Sequence, residues 1–579
     1  MTKAEIIEAQ KAERAVLLKT ILDSKAPKKI IVAGAGTGKT YTFSEMLKLN
    51  PKGANIAMTF IRLLRNDMEG SLGVNAEVRT FHEFCKKILH ERRGGFFLFP
   101  KLTNIVDEDS KHLNVKCVNF DDKFQTLDEN GDEISFYLSR GDYYNAVAFN
   151  DSVYRMWREL QKDPDILSTY DQILIDEFQD FNPLEVAFID ELEKKGNILI
   201  VGDDDQAVYD SRFSTPHHLR NKFQSGDYQT FELPFCSRCP EVIVNATNSL
   251  LKAAQEAGGL KDRIPKRYEC FIELKDAENI KYPYITTVQI TTMSTVVKFI
   301  RNKIAEISKA EIAESWEDGK AYPTVLIVGA RQYLNPVFKN LKEHFANISF
   351  KQSEKNEISV CDGYEFLSHN IKSNLGWRII IDFLMNDDEI KIIIKKTVGG
   401  KPMIELLPIE FVEHQSKVIS IIAKFNKKDE NNDMLLAELE KLVEEKTSSE
   451  IKARFLSPEV VEIIPDKTQP SILLTSYQGC KGMSAGFVFI VGANNGIMPK
   501  NAKNVSDVEV CQFIVALTRT RKKCYLLSED YMYGPVDKTG KRIRKNCRSI
   551  FIDLIPEDFL DDLGNLKAKD IDKTKSYIS

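Results

Sequence analysis

Little in this sequence marks a secreted, membrane-borne or nucleic-acid-coating protein. Ten cysteines are scattered over 579 residues, too sparse for a disulfide framework and compatible with a reducing compartment. Cys236 and Cys239 form a lone CxxC with no second ligand pair nearby. A structural zinc site needs four ligands, so two small packed side chains are the expectation. No apolar run approaches the ~18 residues of a membrane span. The opening Met1-Thr2-Lys3-Ala4-Glu5 leads into an amphipathic, charge-rich stretch without a secretory apolar core, so a soluble, cytoplasmic protein is expected. Basic charge is not in excess either: 80 Lys and Arg stand against 85 Asp and Glu, a net charge of −5. Any strand-binding surface must therefore be local. Lys86-Lys87 with Arg92-Arg93, and the run Lys541-Arg542-Ile543-Arg544-Lys545, are candidates, although charge runs are usually solvated faces. Short-period repeats and long low-complexity stretches are absent as well.

What is present is length enough for several compact units and a series of short apolar runs. Lys29–Ala33, Asn55–Thr59, Gln172–Asp176, Asn197–Gly202, Thr324–Gly329, Ile472–Thr475 and Phe487–Gly492 read as strands. Each is followed by a turn or a helical pattern, which predicts parallel sheets covered on both faces. Charged, helix-like sequence at roughly 89–165 and 356–465 reads as two insertions into a pair of α/β units.

The sharpest local signal is Ala33-Gly34-Ala35-Gly36-Thr37-Gly38-Lys39-Thr40, which follows a strand and opens a helical stretch that must end before Pro51. This is the setting of a P-loop. Its glycines let backbone amides wrap phosphate oxygens at a helix N-terminus. Lys39 is placed to neutralise the β- and γ-phosphates of ATP and Thr40 to ligate Mg²⁺. The first position is Ala33 rather than glycine. A second apolar strand ends in Asp176-Glu177-Phe178-Gln179-Asp180. Asp176, at the strand's C-terminal end, is placed to hold Mg²⁺ through water, and Glu177 to position and deprotonate the attacking water.

These motifs, with others in a fixed order, resemble the UvrD/Rep/PcrA-like superfamily 1A helicases. Thr59-Phe60, with Met68 eight residues later, is similar to the family's motif Ia, and Thr80-Phe81-His82 to motif Ib, where the family touches the DNA strand. Val201-Gly202-Asp203-Asp204-Asp205-Gln206-Ala207-Val208-Tyr209 resembles motif III, whose glutamine links γ-phosphate to DNA. Leu233 through Arg238 is similar to motif IV, Ser476 through Gly482 to motif V, and Val515-Ala516-Leu517-Thr518-Arg519 to motif VI. The resemblance implies two RecA-like motor domains: 1A at 1–88 and 166–225, and 2A at 226–355 and 466–530. Mainly helical insertions 1B (89–165) and 2B (356–465) and a tail at 531–579 complete the chain. It assigns Lys39, Glu177, Gln206, Arg238 and Arg519 to catalysis. The nucleotide falls to residues 33–40 and Gln10, and DNA to Thr59, Phe60, Arg62, Thr80, His82, Tyr209, Arg212 and Gln478. Arg238 and Arg519 would come from the second unit, so the ATP site is complete only when both units close, and an arginine finger contributes a factor of ~10³–10⁵.

The chain also departs from the family pattern. The adenine-stacking aromatic before the motif IV arginine is Ser237, and the base-stacking tryptophan after Tyr209 is Ser211. The motif V histidine is Gln478 and its ribose-contacting glutamate is Ser484. Stacking is worth ~1–3 kcal/mol per base, so weaker adenine selectivity or a shifted strand register is expected, with Tyr209 and Arg212 compensating. Gln10 lies 29 residues before Lys39, further than the family places its adenine-contacting glutamine. The resemblance implies an ATP-dependent, 3′-to-5′ translocase or helicase on single-stranded or partly duplex DNA, in repair or antiviral defence. The alternative is an ATPase acting as regulatory subunit of a partner nuclease. A fused nuclease is not expected, because about 54 residues follow Tyr525.

Overall fold

The computed structural model describes residues 2–59, 65, 68–70, 72–93, 95–116, 119–209, 212–290, 292–317, 321–351, 357–425, 432–456, 465–529, 548–567 and 571. It is an α/β protein built on two parallel sheets flanked by helices. In chain order the strands are β1 (Lys28–Val32), β2 (Asn55–Thr59), β3 (Glu77–Thr80), β4 (Phe97–Leu98), β5 (Ala146–Val147), β6 (Tyr170–Ile175), β7 (Gly196–Gly202), β8 (Gln229–Glu232), β9 (Phe235–Cys236), β10 (Glu269–Cys270), β11 (Ile285–Ile290), β12 (Val325–Gly329), β13 (Ile348–Phe350), β14 (Ile472–Thr475), β15 (Ala485–Val491), β16 (Thr520–Glu529) and β17 (Leu560–Leu566).

The first sheet has the order β3-β2-β6-β7-β1-β8 and the second β13-β14-β12-β15-β16-β11-β17. Every pairing within both is parallel. The central strands β2, β12 and β15 are buried along their whole length, as double-faced cover by helices requires. Two boundaries expected from sequence move. β8 pairs with β1, so the first sheet extends past residue 225. β17 pairs with β11, so part of the stretch read as a tail closes the edge of the second sheet. Both strands expose polar side chains and carry no apolar run that would announce them.

Helix α1 (Lys3–Asp23) begins at a capping box in which Thr2 and Glu5 satisfy each other's backbone amides. Helix α2 (Lys39–Lys48) starts directly after Gly38, whose φ of 95° only glycine adopts without strain. The helices at 102–160 and 360–451 share one continuous apolar core with a face of the first sheet, running from Phe81 and Phe188 to Trp377 and Ile419. The two helical insertions therefore lie against each other.

A candidate nucleotide cleft between the two sheets

Chain direction places the chemistry. In a parallel sheet the loops at the C-terminal ends of the strands open on one edge. The P-loop follows β1, Asp176 and Glu177 follow β6, and Asp203 to Gln206 follow β7. The two-stranded β9–β10 sheet brings Ser237-Arg238, and the second sheet Gly482, Arg519 and Arg521, to the same place. Residues 35–41, Asp176, Glu177, Gln206 and these second-unit residues line a cavity of 290 Å³. Gly36 has φ 71°, and a Cβ there would stand 2.4 Å from the Arg238 Cβ, so the P-loop and the motif IV segment pack with only glycine between them. Thr37 donates through its hydroxyl to the Gly34 carbonyl at 3.0 Å, bracing the loop.

Within the cleft, Lys39 Nζ lies 3.6 Å from Glu177 Oε1. Burial opposes the Lys39 charge, but Glu177, Asp176 and Asp203 outweigh it and hold the ammonium above its ordinary value. Burial likewise opposes the Glu177 charge, yet Lys39 and Lys481 together keep that carboxyl low. Asp176 goes the other way: burial first, then the Glu177 charge, push it up. Glu177 sits at φ 54°, a left-handed conformation that costs a non-glycine residue on the order of 1 kcal/mol and is typical of functional sites. Gln179 donates to Glu177 Oε2 and accepts from the Asp203 amide at 2.9 Å, tying the two loops together.

Two cations of the second unit reach the Gln206 and Asp180 loops of the first. Arg519 donates to Gln206 Oε1 at 3.0 Å and to the carbonyls of Val515 and Met483 at 2.8 and 3.0 Å. Lys481, buried, bonds to Asp180 Oδ1 at 2.8 Å and to the Gln206 carbonyl at 2.5 Å. Burial pushes the Asp180 carboxyl up to about 7, with Lys481 pulling against it. Among the described residues the half-buried Arg238 guanidinium meets no ion-pair partner. Asp203, Asp204 and Asp205 stand close enough to hold a metal ion, but Lys266 touches all three at 2.6–2.8 Å. Arg263 pairs with Asp205 and Arg220 with Asp204 at 2.7 and 3.1 Å. Cations already satisfy that triad, and it works as a brace for Gln206.

The comparisons with known proteins agree with this geometry. Residues 17–212 match the AAA domain family model. The ATP-dependent DNA helicase PcrA of Staphylococcus epidermidis is 23% identical over 94% of this chain and 86% of its own length. DNA helicase II of Haemophilus influenzae is 24% identical over 38% of each chain. These similarities support a UvrD/Rep/PcrA-like superfamily 1 helicase. The exonuclease/helicase subunit RexA of Lactococcus lactis is 27% identical over 32% of this chain and 15% of its own length.

The other residues expected from this superfamily 1 pattern fall unevenly. Ala33, Gly34 and Ala35 are buried under the loop, where the Tyr268 hydroxyl donates to the Ala35 carbonyl at 3.0 Å. Thr40 opens α2 beside Lys39 at the cavity wall. Gln10 is a correction: its amide is consumed by the Cys270 carbonyl at 3.0 Å and the Ile272 amide at 3.1 Å. It ties α1 to β10 and is not open to a nucleotide. Thr59 is wholly buried at the end of β2 and offers no surface in this arrangement. The Thr80 hydroxyl caps the following helix by accepting from the Glu83 amide at 3.3 Å. His82 and Arg212 each lie 3.9 Å from Glu185 Oε1, which gathers them on one side of the first unit. Tyr209 donates to the Gln478 carbonyl at 3.3 Å and Gln478 donates to the Val208 carbonyl at 3.3 Å, a reciprocal latch between the units. Phe60, Arg62 and Ser211 lie outside the described residues, as does the 541–545 basic run. In the other basic patch, Lys87 pairs with Glu77 and Arg92 with Asp163 at 2.9 and 3.3 Å. Cys236 and Cys239 are free and buried, and the Cys239 amide donates to Cys236 Sγ at 3.3 Å. Among the described residues no helix is long and apolar enough to cross a membrane.

Sequence reasoning gave no role to Lys481, Asp180, Arg521 or Tyr41. Asp180 and Lys481 were visible inside the motifs, yet their pairing depends on the approach of two units far apart in sequence.

Proposed function

We propose that this chain is an ATP-dependent DNA helicase that translocates 3′ to 5′ on single-stranded DNA and unwinds partly duplex DNA. The observation that carries the reading is the contact of Arg519 and Lys481, from the second unit, with Gln206 and Asp180, from the first. A charge-neutralising cleft whose cations come from both units senses whether the units are closed.

The roles follow from the geometry. Backbone amides of residues 34–39 cradle phosphate at the head of α2, and Lys39 neutralises the β- and γ-oxygens. Those oxygens compete with Glu177 for the Lys39 ammonium, and losing that neighbour returns basicity to Glu177. Glu177 then accepts a proton from the water that attacks the γ-phosphorus, and ADP leaves as the bond to its β-phosphate oxygen breaks. Arg519 and Arg238 stabilise charge on the transferring group. Thr40 and Asp176 are hard oxygen donors, the class Mg²⁺ requires, and burial leaves Asp176 poorly disposed to ionise without a cation. They would hold Mg²⁺, which supplies charge neutralisation at the phosphates when bound. Gln206, braced by the Asp203–Lys266 cluster, relays closure to the Tyr209–Gln478 latch, and His82, Tyr209, Arg212 and Gln478 are the proposed strand contacts.

The test is ATP hydrolysis with and without single-stranded DNA, followed by unwinding of duplexes tailed at either end. Strong DNA stimulation and unwinding only from a 3′ tail are expected; equal turnover without DNA overturns the reading. The likeness to RexA, named as an exonuclease/helicase subunit, supports a second reading as the ATPase partner of a nuclease. DNA-dependent turnover without unwinding, with a nuclease co-purifying, would select it.

A further inference from the structure

The face of α1 toward the P-loop carries Gln10 and, one turn on, Arg14. Gln10 bonds to the backbone on either side of Phe271, at Cys270 and Ile272. Phe271 is buried, and its ring supports the Arg14 guanidinium at 4.6 Å. One guanidinium nitrogen of Arg14 stands 3.6 Å from the point a Gly38 Cβ would occupy, and the Tyr41 Cβ is 3.9 Å from the same point. Tyr41 is 53% exposed on the cavity wall. Among the described residues Arg14 has no ion-pair partner. On the opposite wall Ser237 supplies no ring. Among the described residues the cleft therefore keeps one aromatic platform on its lining, Tyr41 in the first unit, with a donor-only side chain beside it.

We infer that Arg14 and Tyr41 read the base of the bound nucleoside triphosphate, Tyr41 by stacking and Arg14 by donating to the purine edge. The inference rests on the reading of residues 33–40 as a phosphate cradle. A guanidinium donates and never accepts. Guanine and hypoxanthine present two acceptors, O6 and N7, whereas adenine pairs the N7 acceptor with an N6 donor. Arg14 thus matches 6-oxopurines at both positions and adenine at one. The site accepts GTP and ITP alongside ATP, and Arg14 is the residue that sets the ratio.

Competition binding on the full chain, with non-hydrolysable analogues of ATP, GTP, ITP and CTP and with tripolyphosphate, decides this apart from turnover. The guanine and inosine analogues should bind the wild type at least as tightly as the adenine analogue. Arg14→Gln, which offers one donor and one acceptor, should shift the ratio toward adenine roughly tenfold. Tyr41→Ala should weaken every purine and narrow the gap to CTP. A wild-type preference for adenine of a hundredfold or more overturns the inference. So does an Arg14→Ala variant that weakens all nucleotides and tripolyphosphate equally, which would put Arg14 on phosphate. Failure of every triphosphate to bind would instead overturn the phosphate-cradle reading itself.

Discussion

Among the described residues, one buried charge cluster lies between the helical insertions and another between the sheets. In the first, Asp109 accepts from Arg378 at 2.8 Å, from Arg140 at 2.8 Å and from the Tyr144 hydroxyl at 2.6 Å. Arg140 reaches on to Thr397 at 2.9 Å, and Arg378 to Asp382 at 3.1 Å. Burial opposes the Asp109 charge, but the two guanidiniums hold the carboxyl low. In the second, Asp176 is pushed up and Asp180 stays up despite Lys481, while Arg238 faces a cavity. A closed cluster locks two elements together; an incomplete one is poised to take a further charged group. The same residue types serve adhesion in one place and chemistry in the other, and the difference is whether each charge already has its partners.

That contrast can be broken most severely in the cleft. Arg519→Ala should lower DNA-stimulated ATP turnover by ~10³–10⁵, with Glu177→Gln and Lys39→Ala equally inactive, and all three should keep the wild-type melting temperature within a few degrees. Steady-state hydrolysis and thermal melts check this, and a large loss of stability would show that the cleft cluster also serves adhesion.

The closed cluster should behave oppositely. Arg378→Ala leaves Asp109 buried with two of its three partners and should cost about 3–5 kcal/mol in denaturant unfolding, with turnover per folded molecule unchanged. Replacing Asp109, Arg140 and Arg378 together by apolar residues of similar volume should recover most of that loss. Lys481→Met sits between the two, since it unpairs Asp180 and loosens the contact between units. Turnover should fall by on the order of tenfold to a hundredfold, through kcat more than KM, with modest destabilisation.

The smallest effect concerns Glu529, a carboxylate without a hydrogen-bond partner among the described residues. It is buried at the end of β16, both its oxygens lack hydrogen bonds to the described residues, and burial pushes it up to about 8. An acid whose folded pKa is raised binds its proton more tightly when folded. It contributes stability that is intact below the ordinary carboxylate range of ~4.3 and is lost as pH rises toward about 8. Glu529→Gln should flatten that decline in melts taken from pH 5 to 9. An unchanged slope would mean the carboxylate finds a partner in solution.

All seven apolar runs picked out in the sequence form strands, because a strand buried on both faces needs an uninterrupted apolar run. Among the strands that escaped notice, β16 begins Thr520-Arg521-Lys522-Lys523, whose cationic side chains reach Ser484, Glu314 and the Tyr284 carbonyl, and β17 is an exposed edge. The P-loop and the Asp176-Glu177 pair were legible because each is a local backbone device: a turn that only glycine allows, and a carboxylate at a strand's end. Gln10 was misplaced because its partners, Cys270 and Ile272, are some 260 residues away.

Local chain chemistry was thus sufficient for the α/β class, the glycine turn at the head of α2 and the family pattern, since propensity, turn geometry and motif order act over a few residues. Contact between distant segments settled the rest. It brought Lys481 and Arg519 onto Asp180 and Gln206, set Arg14 over Phe271, and joined the two insertions through Asp109. The reason is electrostatic: the fate of a buried charge depends on the groups within a few ångströms, and those are chosen by the fold, not by sequence neighbours.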